Sequence, residues 1–219
     1  MTSAPRYRLR GFYPGDPEEI ERMNLMYYHP GVMKAKSYWQ SERHTIKDAD
    51  LSAIHRSAFS VPTKIMRQNR SVSYAVADIR DRLVGWVWFY HDSRHPLPTR
   101  LIKELKLTSR NSRVYQVSYE KLLSDGWPPV LIRKVRHVTG AELRRERRGV
   151  IVDGLRLAIG RLRREYRALY PERRMLVLYA YVLLDNYASQ AVLERNGFWK
   201  DARVYRHAGE PHELWVRVM

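Results

Sequence analysis

Asp185-Asn186-Tyr187-Ala188-Ser189-Gln190-Ala191-Val192-Leu193-Glu194-Arg195-Asn196-Gly197-Phe198 carries the signals of a complete short helix. Asp185 or Asn186 can cap its N-terminus, because a short polar side chain there accepts a hydrogen bond from an amide the helix leaves unpaired. Asn196-Gly197 ends it, since glycine takes the left-handed conformation without a Cβ penalty. Phe198 then returns the chain to the core. Immediately upstream, Met175–Val182 is an apolar run of strand length.

Further out lies Thr139–Leu169. A strand over Val130–Val138 is expected to feed an arginine-rich loop, Arg144, Arg145, Glu146, Arg147, Arg148, Gly149, and then a helix over Val150–Leu169. Ile151, Leu155, Ala158, Ile159, Leu162, Tyr166 and Leu169 recur at helical spacings of three and four, with Arg156, Gly160, Arg163 and Arg167 on the opposite, wet face. A helix N-terminus presents unpaired amides, a preceding glycine lets a diphosphate come close to them, and arginines add charge-assisted bonds. Taken alone, the segment reads better as an ordinary amphipathic helix with a basic solvated face. What that reading leaves unexplained is the order: basic strand–loop–helix, apolar strand, capped helix, then a closing strand pair, Lys200–His207 and Glu213–Val218, around Gly209.

Toward the N-terminus, Tyr7–Phe12 alternates as a first strand. Asp16-Pro17 starts a helix, with Glu18 and Glu19 suiting its dipole, and His29-Pro30-Gly31 ends it. Asp48–Ser60 reads as a second helix. Val72–Ala77 and Leu83–Tyr90 read as strands joined by a hairpin at Asp78–Arg82. Residues 91–129 read as an insertion with a short helix near Leu101–Leu107, a candidate strand at Val114–Tyr119 and a turn at Trp127-Pro128-Pro129. The expected class is mixed α/β (α+β), one domain over 1–219 with the insertion at about 91–129.

The 219 residues suffice for one sizeable core, and 44% apolar content excludes a mostly disordered chain. No apolar run reaches the ~20 residues that cross a bilayer, so no membrane partner is expected. The absence of cysteine excludes disulfides, thiolate chemistry and Cys-ligated metals. With no secretory signal in Met1–Arg10, a cytoplasmic location is expected. The eight histidines are scattered, and His91, Asp92 and His95 suggest solvated residues rather than a metal site. Net charge is +17, and residues 131–174 hold 14 Lys/Arg against 5 Asp/Glu. Such a surface attracts nucleic acid, ribosomes, acidic proteins or phosphorylated cofactors, and serves solubility equally well.

The order strand, Arg/Gly loop, helix, strand and the Asn186–Phe198 motif, N-x-x-S-x-x-V-L-E-R-x-G-F, resembles the GNAT N-acetyltransferase superfamily, in the version found in ribosomal-protein N-terminal acetyltransferases. The resemblance covers about 130–218, and more loosely 7–92. It implies a GNAT-like acyl-CoA N-acyltransferase fold, a mixed, mostly antiparallel sheet flanked by helices. It further implies acetyl-CoA or another acyl-CoA as cosubstrate, its pantetheine arm in a slot beside the fourth strand. That strand is expected at Val130–Val138, with Val135 and Val138 beside the arm. The family's loop, Gln/Arg-x-x-Gly-x-Gly/Ala, aligns with Glu146–Ile151: Gly149 is kept, while Glu146 and Ile151 depart from it. Arg147, Arg148, Gly149, Val150 and Ile151 are then the diphosphate cradle, with Arg144 and Arg145 near the adenosine 3′-phosphate. Asn186 and Ser189 match the motif and imply pantetheine contacts, with Ser189 a proton donor. The tyrosine the family often uses as acid is replaced by Leu193, leaving Tyr181, Tyr179 or Tyr205 as substitutes. Acyl transfer to an amine needs a base, for which His137 and Glu120 are candidates. The implied activity is N-acetylation of a primary amine of a protein or peptide. The second reading is a GNAT-like protein that binds or modifies nucleic acid with altered or lost acetyl-CoA use, and a third is a non-catalytic scaffold.

Overall fold

A computed structural model describes residues 6–13, 15–35, 50–52, 71–90, 97–123, 125–144, 149–172, 175–207 and 209–219. The elements are β1 (Tyr7–Arg10), α1 (Pro17–Tyr28), α2 (Pro30–Ala35), β2 (Ser71–Asp78), β3 (Leu83–Tyr90), α3 (Thr99–Glu104), β4 (Ser112–Lys121), α4 (Pro129–Ile132), α5 (Gly140–Arg144), α6 (Val150–Leu169), β5 (Met175–Leu183), α7 (Tyr187–Arg195), β6 (Trp199–His207) and β7 (Glu210–Val218). The strands form a seven-stranded sheet in the order β1-β2-β3-β4-β5-β7-β6. The expected mixed, mostly antiparallel sheet flanked by helices is what the chain forms. Of the expected helix over Asp48–Ser60, only 50–52 lie within the described residues, and His91, Asp92 and His95 lie outside them.

The chain divides into two compact units. The first comprises Met1–Ser60, Ser73–Val87 and Tyr119–Gly154. Here β1 pairs antiparallel with β2, and Asp78 closes the β2–β3 hairpin, its N–H bonded to the Arg82 carbonyl at 3.0 Å. Burial alone would push the Asp78 carboxyl up, but its bonds from Arg82 and Arg80 hold it below the usual range. Asp16 caps α1 with a 2.9 Å bond from the Glu18 N–H, as expected of Asp16-Pro17. Met23, Leu25, Met26, Leu83, Trp86, Leu122, Leu131, Val138 and Leu143 form the core, each Leu or Met contributing about 1.5–3 kcal/mol by its burial.

Val130–Val138 is not a strand: it is α4 followed by a loop. Its apolar residues show why. Leu131, Val135 and Val138 are spaced by four and three, and these turn inward while Ile132 stays exposed. That is a helical period rather than an alternating one. Pro128 and Pro129 suit a helix start and lack the N–H a ladder needs. The amides of Arg136, His137 and Val138 all point at one group, the Glu21 carboxylate, at 2.6, 2.7 and 2.5 Å. Successive amides of a strand point in alternate directions, so three converging on one carboxylate exclude the extended form.

The second unit comprises Val61–Val72, Trp88–Ser118 and Leu155–Met219. β4 runs parallel to β5, β5 antiparallel to β7, and β7 antiparallel to β6 with a register irregularity between Lys200 and Val204. Residues 91–129, expected as an insertion, therefore contain β4, which is the fourth strand of the sheet. Leu97, Leu101 and Leu107, around α3, pack with Val177, Tyr179, Leu214 and Val216. On α6 the expected stripe is buried at Leu155, Ala158, Ile159, Leu162 and Tyr166, while Arg156, Arg163 and Arg167 are exposed. Asn186 caps α7 and Gly197 leaves it at φ 72°, with Phe198 buried behind it. Arg217 finishes this helix by donating from Nη1 to the Asn196 carbonyl.

Candidate functional site

The parallel ladder between β4 and β5 is short. It begins at Ser112 opposite Met175 and ends at Gln116 opposite Tyr179. β4 continues to Lys121 and β5 to Leu183, but beyond that last rung they share no register. β5 keeps its other neighbour, pairing with β7 as far as Leu183 opposite His212. Two adjacent strands that start joined and then part leave a slot whose walls are main-chain edges, able to bond a linear ligand bearing amides.

Side chains alternate across a strand, so Val114, Gln116 and Ser118 share one face of β4, as Val177, Tyr179 and Tyr181 do on β5. Val114, Tyr179 and Tyr181 all pack on the α3 cluster, which fixes that face as the one carrying Gln116. Farther out on it the Tyr179, Tyr181 and Tyr205 rings follow edge to face, with centroids 6.0 Å apart at each step. Tyr205 donates to Asp201, and Arg100 donates to both Asp201 oxygens at 2.7 Å. Burial pushes the Tyr181 hydroxyl up to about 12, with Tyr205 and Asp201 adding to the rise, so it stays protonated at neutral pH.

Within the first unit, Glu120 lies near the end of β4, 4% exposed. Gly149 precedes α6 at φ 75°, a conformation in which a side chain is strained, and its carbonyl accepts the Asp153 N–H at 2.9 Å. The first turn of α6 then packs on β3 at Gly85. A Cβ on Gly85 would lie 2.9 Å from the Glu120 carbonyl oxygen, 3.0 Å from Val150 Cγ1 and 3.1 Å from Ile151 Cδ1. Val150 and Ile151 are both buried. Ile151, larger than the Gly or Ala of the resembled loop, thus spends its bulk against the sheet where β3 lacks a side chain. The start of the helix is left for its backbone. Gly154 repeats the device one turn on, where a Cβ would meet Val76 Cγ2 at 2.7 Å.

Other expected site residues lie as follows. Val135 and Val138 are core residues of the first unit on a loop, not on a strand edge, because the segment is not extended. His137 is exposed on the same loop, its N–H held by Glu21. Arg144 ends α5 and is exposed; Arg145, Arg147 and Arg148 lie outside the described residues. Asn186 uses its side-chain oxygen on the Ser189 N–H at 3.1 Å, so its first role is the cap of α7. Gln116 was not foreseen. The signal that could have found it is the alternation of Val114–Tyr119, which names a strand with a glutamine at an inward position.

No family model matches the sequence, and no curated protein matches it. Solved structures do match its fold over nearly the whole chain. The ribosomal-protein-S5-alanine acetyltransferase of Vibrio fischeri is 14% identical, with a TM-score of 0.54 over 99% of this chain and 95% of that one. The ribosomal L7/L12 alpha-N-protein acetyltransferase RimL, in complex with coenzyme A, is 12% identical at TM-score 0.55 over 100% and 97%. The spermidine N-acetyltransferase of Vibrio cholerae, in complex with CoA and spermine, is 11% identical at TM-score 0.53 over 97% and 95%. The chain has the fold of the GNAT N-acetyltransferases.

Proposed function

We propose that this protein is an acyl-CoA-dependent N-acetyltransferase acting on a primary amine of a protein or peptide. The observation that carries the reading is the parallel pair β4–β5, which parts after Gln116 and Tyr179 in a fold shared with enzymes solved in complex with coenzyme A. The residues present fit such a ligand. Within the second unit the parted edges suit its amide-bearing arm; within the first, taken by itself, Gly149 with the turn of α6 behind it suits a diphosphate because Ile151 turns onto Gly85. A bound acyl-CoA supplies the activated acyl thioester.

The chain's own residues would do the rest. Glu120, buried near the end of β4, accepts the proton of the attacking amine, directly or through one water. It is preferred to His137 because it stands on β4 and is buried, whereas His137 is an exposed loop residue. The Tyr181 hydroxyl and Ser189 remain the candidates for returning a proton to the departing thiolate, Tyr181 through a phenol kept protonated by burial. Asn186 acts through α7, whose first turn it fixes.

The peptide acceptor is supported by the Asn186–Phe198 motif and by two of the three solved structures above, which acetylate ribosomal proteins. To test it, the protein is incubated with acetyl-CoA and peptides of varied free N-termini, and acetylation is followed by mass spectrometry. Wild type should acetylate a subset, and Glu120→Gln should lower kcat about 10²–10⁴-fold with little change in KM for acetyl-CoA. Transfer to polyamines or aminoglycosides but to no peptide would move the acceptor class.

One feature favours a substrate presented on RNA or the ribosome. Arg163, Arg164 and Arg167 are exposed on α6 and make no ion pair with a described residue. Affinity for a structured RNA should then fall steeply with salt, and a flat response removes this reading.

A further inference from the structure

Among the described residues, Gln116 is a buried polar side chain at the closed end of the slot. It occupies the last rung of the β4–β5 ladder and is 2% exposed. Its Oε1 has no hydrogen-bond partner. Exchanging the amide's oxygen and nitrogen would place a donor, equally without an acceptor, at the same point. A buried polar group left unpaired is costly, and proteins rarely keep one without a use. The neighbourhood supplies no reason to keep it: Val114, Val177 and Tyr179 make the rest of that face apolar, and a leucine of similar size would pack there at no such cost.

A linear ligand held between the parted edges of β4 and β5 would reach Gln116 where its end meets the last rung of the ladder. We infer that Gln116 is a specificity-determining residue. Its carboxamide pairs with a neutral hydrogen-bonding group on the acyl-thioester arm, either an amide of the arm itself or a hydroxyl on the acyl group it carries. The inference rests on the acyl-CoA reading above. A carboxamide offers an acceptor and two donors, and both an amide and a hydroxyl can meet it with a donor and an acceptor of their own. A carboxylate is disfavoured, because Gln116 brings no charge to offset its burial. Plain acetyl has no group to offer beyond its thioester carbonyl.

The test is calorimetric titration of wild type and Gln116→Leu with CoA, acetyl-CoA and 3-hydroxybutyryl-CoA, together with the thermal midpoint of each unliganded protein. Wild type should bind all three. If an arm amide is the partner, the variant loses about tenfold in affinity for all of them; if an acyl hydroxyl is, it loses about tenfold for 3-hydroxybutyryl-CoA alone. In both cases the unliganded variant should melt at the same or a higher temperature, because an unpaired polar group has been removed from the interior. Unchanged affinities for all three ligands overturn the inference. A lower melting temperature with unchanged affinities overturns it too, by showing that Gln116 serves the unliganded core. Failure of wild type to bind any of them overturns the acyl-CoA reading itself, and this inference with it.

Discussion

Replacing Glu21 by alanine should destabilise the protein far more than an exposed glutamate would. Glu21 is 2% exposed and accepts the N–H groups of Arg136, His137 and Val138 at 2.6, 2.7 and 2.5 Å. A hydrogen bond to a charged group contributes about 1.5–3 kcal/mol, but the three losses do not simply add. Arg136 and His137 are exposed, and their amides can turn to water when the carboxylate goes. The Val138 bond is buried, so that amide is left unpaired at a cost of about 1–3 kcal/mol. Burying an ionised carboxylate was itself costly, and alanine is relieved of that. The net expectation is a loss of about 3 kcal/mol for Glu21→Ala. Glu21→Gln, which keeps an acceptor but not the charge, should lose about 1 kcal/mol. The assay is equilibrium urea denaturation. With a slope of about 2 kcal/mol per M for a chain of this size, the alanine variant should shift the midpoint down by about 1.5 M. A shift below about 0.3 M at unchanged slope would refute the reasoning, because the carboxylate would then not be what holds the loop over 133–139.

Two further outcomes follow from the packing and the buried groups. Gly85→Ala should cost about 1–3 kcal/mol by pressing on the Glu120 carbonyl and on Val150 and Ile151, and adding Ile151→Ala should restore part of that, which a double-mutant cycle of thermal midpoints measures. His29 donates from Nε2 to the Asp125 carbonyl at 2.8 Å and accepts the Gly31 N–H on Nδ1 at 3.1 Å, and burial holds its pKa below the ordinary value. The unfolded chain therefore binds the extra proton first, so the stabilisation is present above about pH 6.5 and is lost as pH falls through the folded value. His29→Gln should be less stable than wild type at about pH 8 yet lose less on acidification, and a slope equal to wild type's would contradict this.

Much of the second unit was legible because its signals are local. Asn186, Gly197 and Phe198 each do in the structure what capping chemistry requires, and the α6 stripe from Leu155 to Tyr166 is the buried one. The fourth strand was misplaced because a segment of mixed apolar and basic residues, Val130–Val138, invited a strand reading. What decides it is a contact across more than a hundred residues, Glu21 to the amides of 136–138, and no local period carries that. The Gly85–Ile151 match was invisible for the same reason: each residue alone looks like a departure from a pattern, and together they let a helix lie close to a strand. Gln116 could be seen as an inward polar residue, but its want of a partner is a property of the folded neighbourhood.

The most direct measurement is the titration of acetyl-CoA into the wild-type protein beside Gly149→Val. Gly149 holds φ 75° with Asp153 Oδ2 3.4 Å from where a Cβ would stand, so valine there disturbs the start of α6 at a cost of about 1–3 kcal/mol in strain. Wild type should bind acetyl-CoA with a dissociation constant in the micromolar range and Gly149→Val at least about tenfold more weakly, both remaining folded. No heat of binding to wild type at about millimolar ligand would contradict the acyl-CoA function outright, leaving a GNAT fold put to some other use.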